Sequence, residues 1–239
     1  MIGGYKKSGK TKAIEGLVRE LVKRGYRVGT VKHVPLKGFT LDQPKTDTWR
    51  HAQAGSERIV SISPGEVATL EKREADLSEV LPDFGGLDFV IVEGFHRSEN
   101  VAKIMVARDG NEAAELDDEF TVGFIGHGAG EKPVLAPGDT KALADLVERR
   151  AISPVGNLDC GECGYNSCRD FALAALAGKA PKDGCRALHG GVELTVDGRK
   201  VPLKSFMQDL ISGTIGGMLS SLKWAKGREI KIKVRRREG

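Results

Sequence analysis

The sequence lacks any run of about 18 or more consecutive apolar residues, the length that a membrane-spanning helix needs. Its first residues also lack the charged-then-apolar layout of a secretory signal peptide, and no internal repeat is evident. We therefore expect a cytoplasmic protein that does not cross a membrane. With 239 residues, of which 40% are hydrophobic and 29% charged, the chain is long enough for a main domain and a smaller appendage.

The sequence has no net positive charge outside the C-terminal segment. The net charge is +4, but residues 223–239 alone carry eight Lys or Arg against two Glu, a balance of +6, so the rest of the chain sums to −2. A nucleic-acid-binding protein usually spreads its basic surface over the folded domain. Nucleic acid is therefore not an expected partner, and the basic segment is expected to be a solvated tail.

Cysteine is absent except between residues 160 and 185, where four occur with the spacing Cys160-x2-Cys163-x4-Cys168-x16-Cys185. Without a secretion signal, a metal or cluster site is favoured over a disulfide framework. Three thiolates on a glycine-bearing loop, with a fourth after a predicted helix, suit a [4Fe-4S] cluster. A structural zinc site remains the main alternative, although zinc ribbons favour two C-x2-C pairs. A redox C-x-x-C pair would leave two cysteines unexplained.

The stretch GGYKKSGKT at residues 3–11 contains the phosphate-loop pattern G-x-x-x-x-G-K-[ST]. In such a loop, glycines let successive N–H groups point at phosphate oxygens, the lysine neutralises phosphate charge, and the threonine hydroxyl binds Mg²⁺. The predicted helix over 11–24 would add its positive N-terminal end. The predicted nucleotide-binding residues are Gly4, Tyr5, Lys6, Lys7, Ser8, Gly9, Lys10, Thr11 and Lys12.

Only Met1, Ile2 and Gly3 precede this loop, although a phosphate loop normally follows a buried strand. Two explanations are considered from the sequence. Either the chain begins upstream of Met1, or the central sheet lacks an edge and the loop is less rigid than usual.

A carboxylate is expected opposite the loop. The apolar run LDFVIVEGF at 87–95 is typical of a strand buried on both faces of a parallel sheet, and it ends in Glu93. An acid at this position is where Mg²⁺ or its water shell is held opposite a phosphate loop. In the polar stretch between them, Asp47 is a candidate for the metal and Arg50 for phosphate. A solvated helix face explains these two residues equally well.

Strands and helices alternate as in an α/β domain built from β-α-β units, which we expect over residues 1–150. A cluster segment is expected at 151–191, followed by a small α+β region at 192–239. The expected helices are 11–24, 139–150, 170–178 and 203–222. The expected strands are 26–33, 56–63, 66–72, 87–95, 102–108, 120–126 and 132–136, then a hairpin over 192–201 turning at Asp197-Gly198, and a basic strand at 228–236.

Several of these stretches resemble the molybdopterin-guanine dinucleotide biosynthesis protein B (MobB) family. They are the loop with its doubled lysine, VKH at 31–33, LDQPKTDTWRHAQAGS at 41–56 and VIVEGFHRSENVAKIMVAR at 90–108, in the family's order. The resemblance implies a SIMIBI-type P-loop NTPase sheet with flanking helices, GTP and Mg²⁺ as ligands, a homodimer and weak GTPase activity. It also implies an accessory role to the guanylyltransferase, or to a molybdoenzyme partner, in making the molybdenum (or tungsten) guanine dinucleotide cofactor.

The family's site residues map to Gly4 through Thr11, to Glu93, and to Asp47, Arg50 and His51. No Asn-Lys-x-Asp guanine signature is present, so the preference for GTP is implied by the resemblance alone. His33 ends a strand, and a structural role for it is as plausible as a functional one.

The cysteine segment is similar to a second family, the four-cysteine [4Fe-4S] domain of Rnf-type electron-transfer complexes and corrinoid iron–sulfur proteins. The frame CGxCGxxxCxxFA…GKA…C is matched over residues 158–187, and it implies that Cys160, Cys163, Cys168 and Cys185 are the ligands. Two functions are therefore considered: an accessory protein of cofactor biosynthesis with an attached cluster, and a nucleotide-gated electron-transfer or metallocluster-assembly protein.

Overall fold

The computed structural model describes residues 1–95, 98–188, 191–196, 199–222, 230–232 and 234. The chain divides into two compact units. The first contains Met1–Ile152 and Ala172–Lys182, and the second contains Ser153–Phe171 and Asp183–Gly239. The boundary therefore falls beyond residue 150 and then inside a helix that carries one of the cysteines.

A six-stranded parallel sheet forms the centre of the first unit. Its strands are β1 (Ile2–Gly3), β2 (Val28–Lys32), β5 (Phe89–Glu93), β6 (Lys103–Ala107), β7 (Thr121–Gly126) and β8 (Val134–Leu135), in the order β2-β5-β1-β6-β7-β8. Strand β6 is buried along its whole length, as expected for a parallel strand covered on both faces.

The short strand β1 lies in the interior of this sheet, between β5 and β6. Ile2 pairs with Glu93 on one side and with Ile104 on the other. The carbonyl of Met1 accepts a hydrogen bond from the Ile104 amide, and the carbonyl of Ile2 accepts one from the Gly94 amide. The idea that the sheet lacks an edge before the loop is therefore wrong: the two residues form a central strand that is anchored on both sides.

Two long helices cover one face of the sheet. Helix α1 (Lys10–Lys23) buries Ile14, Leu17 and Leu21, and helix α5 (Thr140–Arg150) buries four residues in the same core cluster. Asp139 caps α5, because its carboxylate accepts a hydrogen bond from the Ala142 amide at 3.0 Å. The two helices lie within one residue of the predicted ranges, 11–24 and 139–150.

The predicted strands at 56–63 and 66–72 are present as β3 (Arg58–Ile62) and β4 (Val67–Glu71), but they pair only with each other in an antiparallel hairpin. The structure also contains helix α2 (Asp47–Gln53), helix α3 (Leu77–Val80) with a following 3-10 turn (Leu81–Phe84), and helix α4 (Gly110–Leu116). The sequence analysis did not predict α3 or α4, which are both short.

Helix α6 (Cys168–Leu176) begins at a cysteine, and its second half packs in the first unit. There Ala172 and Leu176 form a buried cluster with Phe120. Arg150 adds a hydrogen bond at 2.6 Å to the Leu176 carbonyl. Residues 172–182 therefore belong to the α/β unit.

The second unit contains the predicted hairpin, with β9 (Leu194–Val196) antiparallel to β10 (Arg199–Val201), and helix α7 (Ser205–Leu219). The turn residues Asp197 and Gly198 lie outside the described residues. Helix α7 lies within the predicted range 203–222, and Gln208 is its only buried residue. The predicted strand at 228–236 is not observed in its described residues, 230–232 and 234, and its other residues lie outside the described part.

Among the helices that the structure describes, none combines the length and the apolar composition needed to cross a bilayer.

Candidate functional site

The loop between β1 and α1 turns sharply at two glycines. Gly4 has φ +143°, and a Cβ there would lie 2.5 Å from the Val106 carbonyl oxygen of the neighbouring strand. Gly9 has φ +99° and stands at the N-cap of α1. Both conformations strain an L side chain, so glycine is required by backbone geometry at the two positions where the motif specifies it. The loop therefore has the backbone form that brings N–H groups to the start of a helix.

Lys10 and Tyr5 hold the loop in shape. The Lys10 ammonium donates a 2.6 Å hydrogen bond to the Tyr5 carbonyl, across the loop. The Tyr5 hydroxyl donates a 2.6 Å hydrogen bond to the Glu115 carboxylate on α4, and this bond raises the pKa of Tyr5. Lys6, Lys7 and Lys12 are exposed around the same loop. The arrangement presents several ammonium groups close to a helix N-terminus, which favours an anionic ligand.

Thr11 and Glu93 meet at the carboxyl edge of the sheet, as the sequence predicted. The Thr11 hydroxyl donates a hydrogen bond to the Glu93 carboxylate at 3.3 Å. Because β1 lies next to β5 in the sheet, the start of α1 and the end of β5 come together. A hydroxyl and a carboxylate at this distance are the oxygen ligands that Mg²⁺ prefers.

Lys32 also contacts Glu93, and the sequence analysis did not identify it as a site residue. It ends β2, pairs in register with Glu93 on β5, and places its ammonium 3.4 Å from the same carboxylate oxygen that Thr11 contacts. The pKa of Lys10 is lowered, mainly by burial, and Lys32 lowers it further while Glu93 acts in the opposite direction. In the sequence, the only signal for Lys32 is its place in VKH, at the end of a predicted strand.

The structure does not bring Asp47 and Arg50 to the loop. Both lie on the exposed helix α2, where the Arg50 guanidinium is 3.7 Å from the Asp47 carboxylate. His51 lies on the same exposed helix. No hydrogen bond or ion pair within the described ranges joins these residues to residues 4–11. His33 stacks on Phe95, with ring centroids 4.3 Å apart, which matches the structural role considered for it.

The loop fits an oxyanion. Ser8, at its centre, has a buried hydroxyl with no hydrogen-bond partner among the described residues. A buried donor without a partner costs about 1–3 kcal/mol. A phosphate oxygen within the loop would satisfy it, so the residues present match the ligand that the motif predicts.

The four cysteines line one pocket in the second unit. Cys168 and Cys185 are buried, and Cys160 and Cys163 are half-buried. Gly156 donates a backbone hydrogen bond to the Cys185 sulfur at 3.3 Å, and the Cys168 amide donates one to Asp159 at 2.6 Å. Burial raises the pKa of the Cys168 thiol, so a metal must displace its proton on binding.

The donor set of this pocket fits a thiolate-bound metal group. Four cysteines are the ligand set of an iron–sulfur cluster and also of a structural zinc site. The backbone N–H directed at the Cys185 sulfur would stabilise a thiolate there in either case.

Two family models match the chain. Residues 1–126 match "Molybdopterin guanine dinucleotide synthesis protein B" (MobB), and residues 157–187 match a family described as "Putative Fe-S cluster". The second match covers all four cysteines.

Two curated proteins are also similar. The chain is 30% identical over 237 residues to a "Putative molybdopterin-guanine dinucleotide biosynthesis adapter protein" from Methanocaldococcus jannaschii, covering 97% of this chain and 94% of that protein. It is 32% identical over 111 residues to the adapter protein of the same name from Haemophilus influenzae, covering 45% of this chain and 61% of that protein. The archaeal match thus extends over the cysteine segment, beyond the MobB domain.

Among solved structures, the crystal structure of Bacillus subtilis MobB superimposes with a TM-score of 0.55 and 22% identity, covering 64% of this chain and 97% of that one. At this identity the likeness shows the fold alone. It confirms the predicted α/β fold of the P-loop NTPase type, a parallel sheet with flanking helices.

The charges of three residues interact at this site: Lys10, Lys32 and Glu93. Removing the charge of one should therefore change the pKa of another. Replacing Lys32 by Met removes a positive charge near Lys10, and the pKa of Lys10 should rise, because its charged form then meets less repulsion. A pH titration of the lysine side chains by NMR measures it. Lys23→Met, at the far end of α1, should leave the pKa of Lys10 unchanged. An unchanged Lys10 pKa in Lys32→Met would contradict this arrangement.

Proposed function

Because the chain belongs to the molybdopterin guanine dinucleotide synthesis protein B family, we propose that it is a GTP-binding adapter in molybdenum (or tungsten) cofactor biosynthesis. In this proposal it assists formation of the guanine dinucleotide form of the cofactor, and it carries a [4Fe-4S] cluster on its cysteine segment. Its partner is the guanylyltransferase or a molybdoenzyme that receives the product. The alternative of a nucleotide-gated electron-transfer protein is not favoured by any contact described above.

The proposal of nucleotide binding rests on one observation: the loop, Thr11 and Glu93 lie together at the carboxyl edge of the sheet. In the proposed complex, the backbone N–H groups of residues 4–9 and the Lys10 ammonium bind the phosphates of GTP. Lys10 would then exchange its hydrogen bond to the Tyr5 carbonyl for one to phosphate. Thr11 and Glu93 hold the magnesium side of the site. Asp47 and Arg50 stay outside this set, because they pair with each other on an exposed helix.

The cluster part is supported by the cysteine pocket and by the family match over residues 157–187. The ligands proposed are Cys160, Cys163, Cys168 and Cys185. A bound cluster would supply one-electron redox chemistry to this part of the chain. The backbone N–H of Gly156, directed at the Cys185 sulfur, would stabilise the thiolate charge.

Replacing Lys10 by Ala should weaken GTP binding by about 100-fold or more, because it removes a charge-assisted hydrogen bond to phosphate. Isothermal titration with GTP and Mg²⁺ measures the loss, and competition with ATP tests the proposed preference for guanine. The control is Lys23→Ala, which removes an exposed lysine from the other end of α1. GTP affinity that survives Lys10→Ala unchanged would refute the phosphate-loop assignment.

Anaerobic reconstitution with iron and sulfide should give a brown protein with about four iron atoms per chain. Cys185→Ser should lose most of this iron, since it removes one of the four proposed ligands. Ser212→Ala, an exposed change on α7, should retain it. Metal analysis and visible absorbance measure both. Zinc bound at one atom per chain, with no iron, would show that the site is a zinc site instead.

A further inference from the structure

Helix α7 is held to the rest of its unit in an unusual way. Along its 15 residues only Gln208 is buried, with 5% of its surface exposed, while Phe206, Leu210 and Met218 are at least half exposed. Ile211, Ile215 and Leu219 are half-buried, so apolar burial fixes this helix only in part. Two polar contacts at its N-terminal end add to it.

The first anchor is Glu162. Both oxygens of its carboxylate accept a hydrogen bond from the Ser205 amide, at 2.7 and 2.9 Å. Lys204, at the N-cap position, makes no side-chain capping bond, so Glu162 supplies the cap from a distant part of the chain. A carboxylate at a helix N-terminus also interacts favourably with the helix dipole. Glu162 lies between Cys160 and Cys163 in the sequence.

The second anchor is Gln208. Its buried amide group donates hydrogen bonds to the Leu203 carbonyl at 2.9 Å and to the Arg186 carbonyl at 3.4 Å. Arg186 directly follows Cys185. The two anchors thus join α7 to the two backbone segments that carry the first pair and the last of the cysteines.

We propose that Glu162 and Gln208 are positioning residues that couple occupancy of the cysteine pocket to the order of helix α7. This inference rests on the cluster part of the proposed function. A cluster bound by the four thiolates fixes the backbone at residues 160–163 and at 185, and this holds the Glu162 carboxylate and the Arg186 carbonyl in place for α7. Without metal, both acceptors lose that support, and the first turn of α7 opens more often.

The test is hydrogen exchange, followed by mass spectrometry, of the peptide covering residues 203–212 in the full chain. Wild-type protein loaded with iron and sulfide should exchange these amides about fivefold more slowly than the metal-free protein, the effect expected of one helix cap. Glu162→Ala, loaded in the same way, should exchange like the metal-free wild type. Glu162→Gln keeps one acceptor oxygen and should lie between the two.

The matched control is Asp209→Asn, which removes a carboxylate from the exposed side of the same helix and should leave the protection intact. Iron analysis accompanies every sample. If Glu162→Ala takes up no iron, the test uses Glu162→Gln and Gln208→Ala instead. In both iron-loaded variants the peptide 203–212 must then exchange its amide hydrogens faster than in iron-loaded wild type.

The outcomes separate this inference from the proposed function. A wild-type chain that takes up no iron contradicts the cluster proposal, and this inference with it. A chain that takes up its iron but exchanges the peptide at the same rate with and without metal overturns the coupling alone. Loaded Glu162→Ala that is protected like loaded wild type would overturn it as well.

Discussion

The candidate nucleotide site depends on the pairing of two residues, Ile2 and Gly3, between β5 and β6. This pairing fixes where the chain leaves the sheet, and Gly4 then passes so close to the Val106 carbonyl that a side chain cannot be accommodated. The same pairing places Glu93 beside the start of α1, where Thr11 contacts it. A strand of two residues suffices because it lies inside the sheet and is hydrogen-bonded on both sides.

Around the cysteine pocket, polar contacts of the backbone add to the packing of buried residues such as Phe171 and Ala187. Asp159 accepts a hydrogen bond from the Cys168 amide, Glu162 accepts one from the Ser205 amide on α7, and the Gly156 amide donates one to the Cys185 sulfur. Segments of this kind gain much of their order from a bound metal group, since metal binding and folding are coupled. The MobB match ends at residue 126 and the iron–sulfur match begins at 157, so the chain combines two families.

The candidate site residues that could be predicted from the sequence are those marked by a local pattern. The phosphate-loop motif indicated Gly9 and Lys10, and an acid at the end of an apolar run indicated Glu93. The spacing of the four cysteines indicated a metal or cluster site. Lys32 was missed because its contact with Glu93 depends on β2 pairing with β5, which lie far apart in the sequence. The exposure of α7 could not be predicted for a related reason: apolar periodicity shows that a helix has an apolar face, but it does not show what covers that face.

The central claim is that the loop, Thr11 and Glu93 form one site for a nucleotide and its metal ion. The most direct measurement is pulsed EPR of the full chain with Mn²⁺ in place of Mg²⁺ and with GTP bound. We expect phosphorus couplings on the protein-bound Mn²⁺, because an ion held by Thr11 and Glu93 would lie next to phosphates bound in the loop, and we expect loss of the bound ion in Glu93→Gln. Bound Mn²⁺ that shows no phosphorus coupling, or that is unaffected by Glu93→Gln, would contradict it.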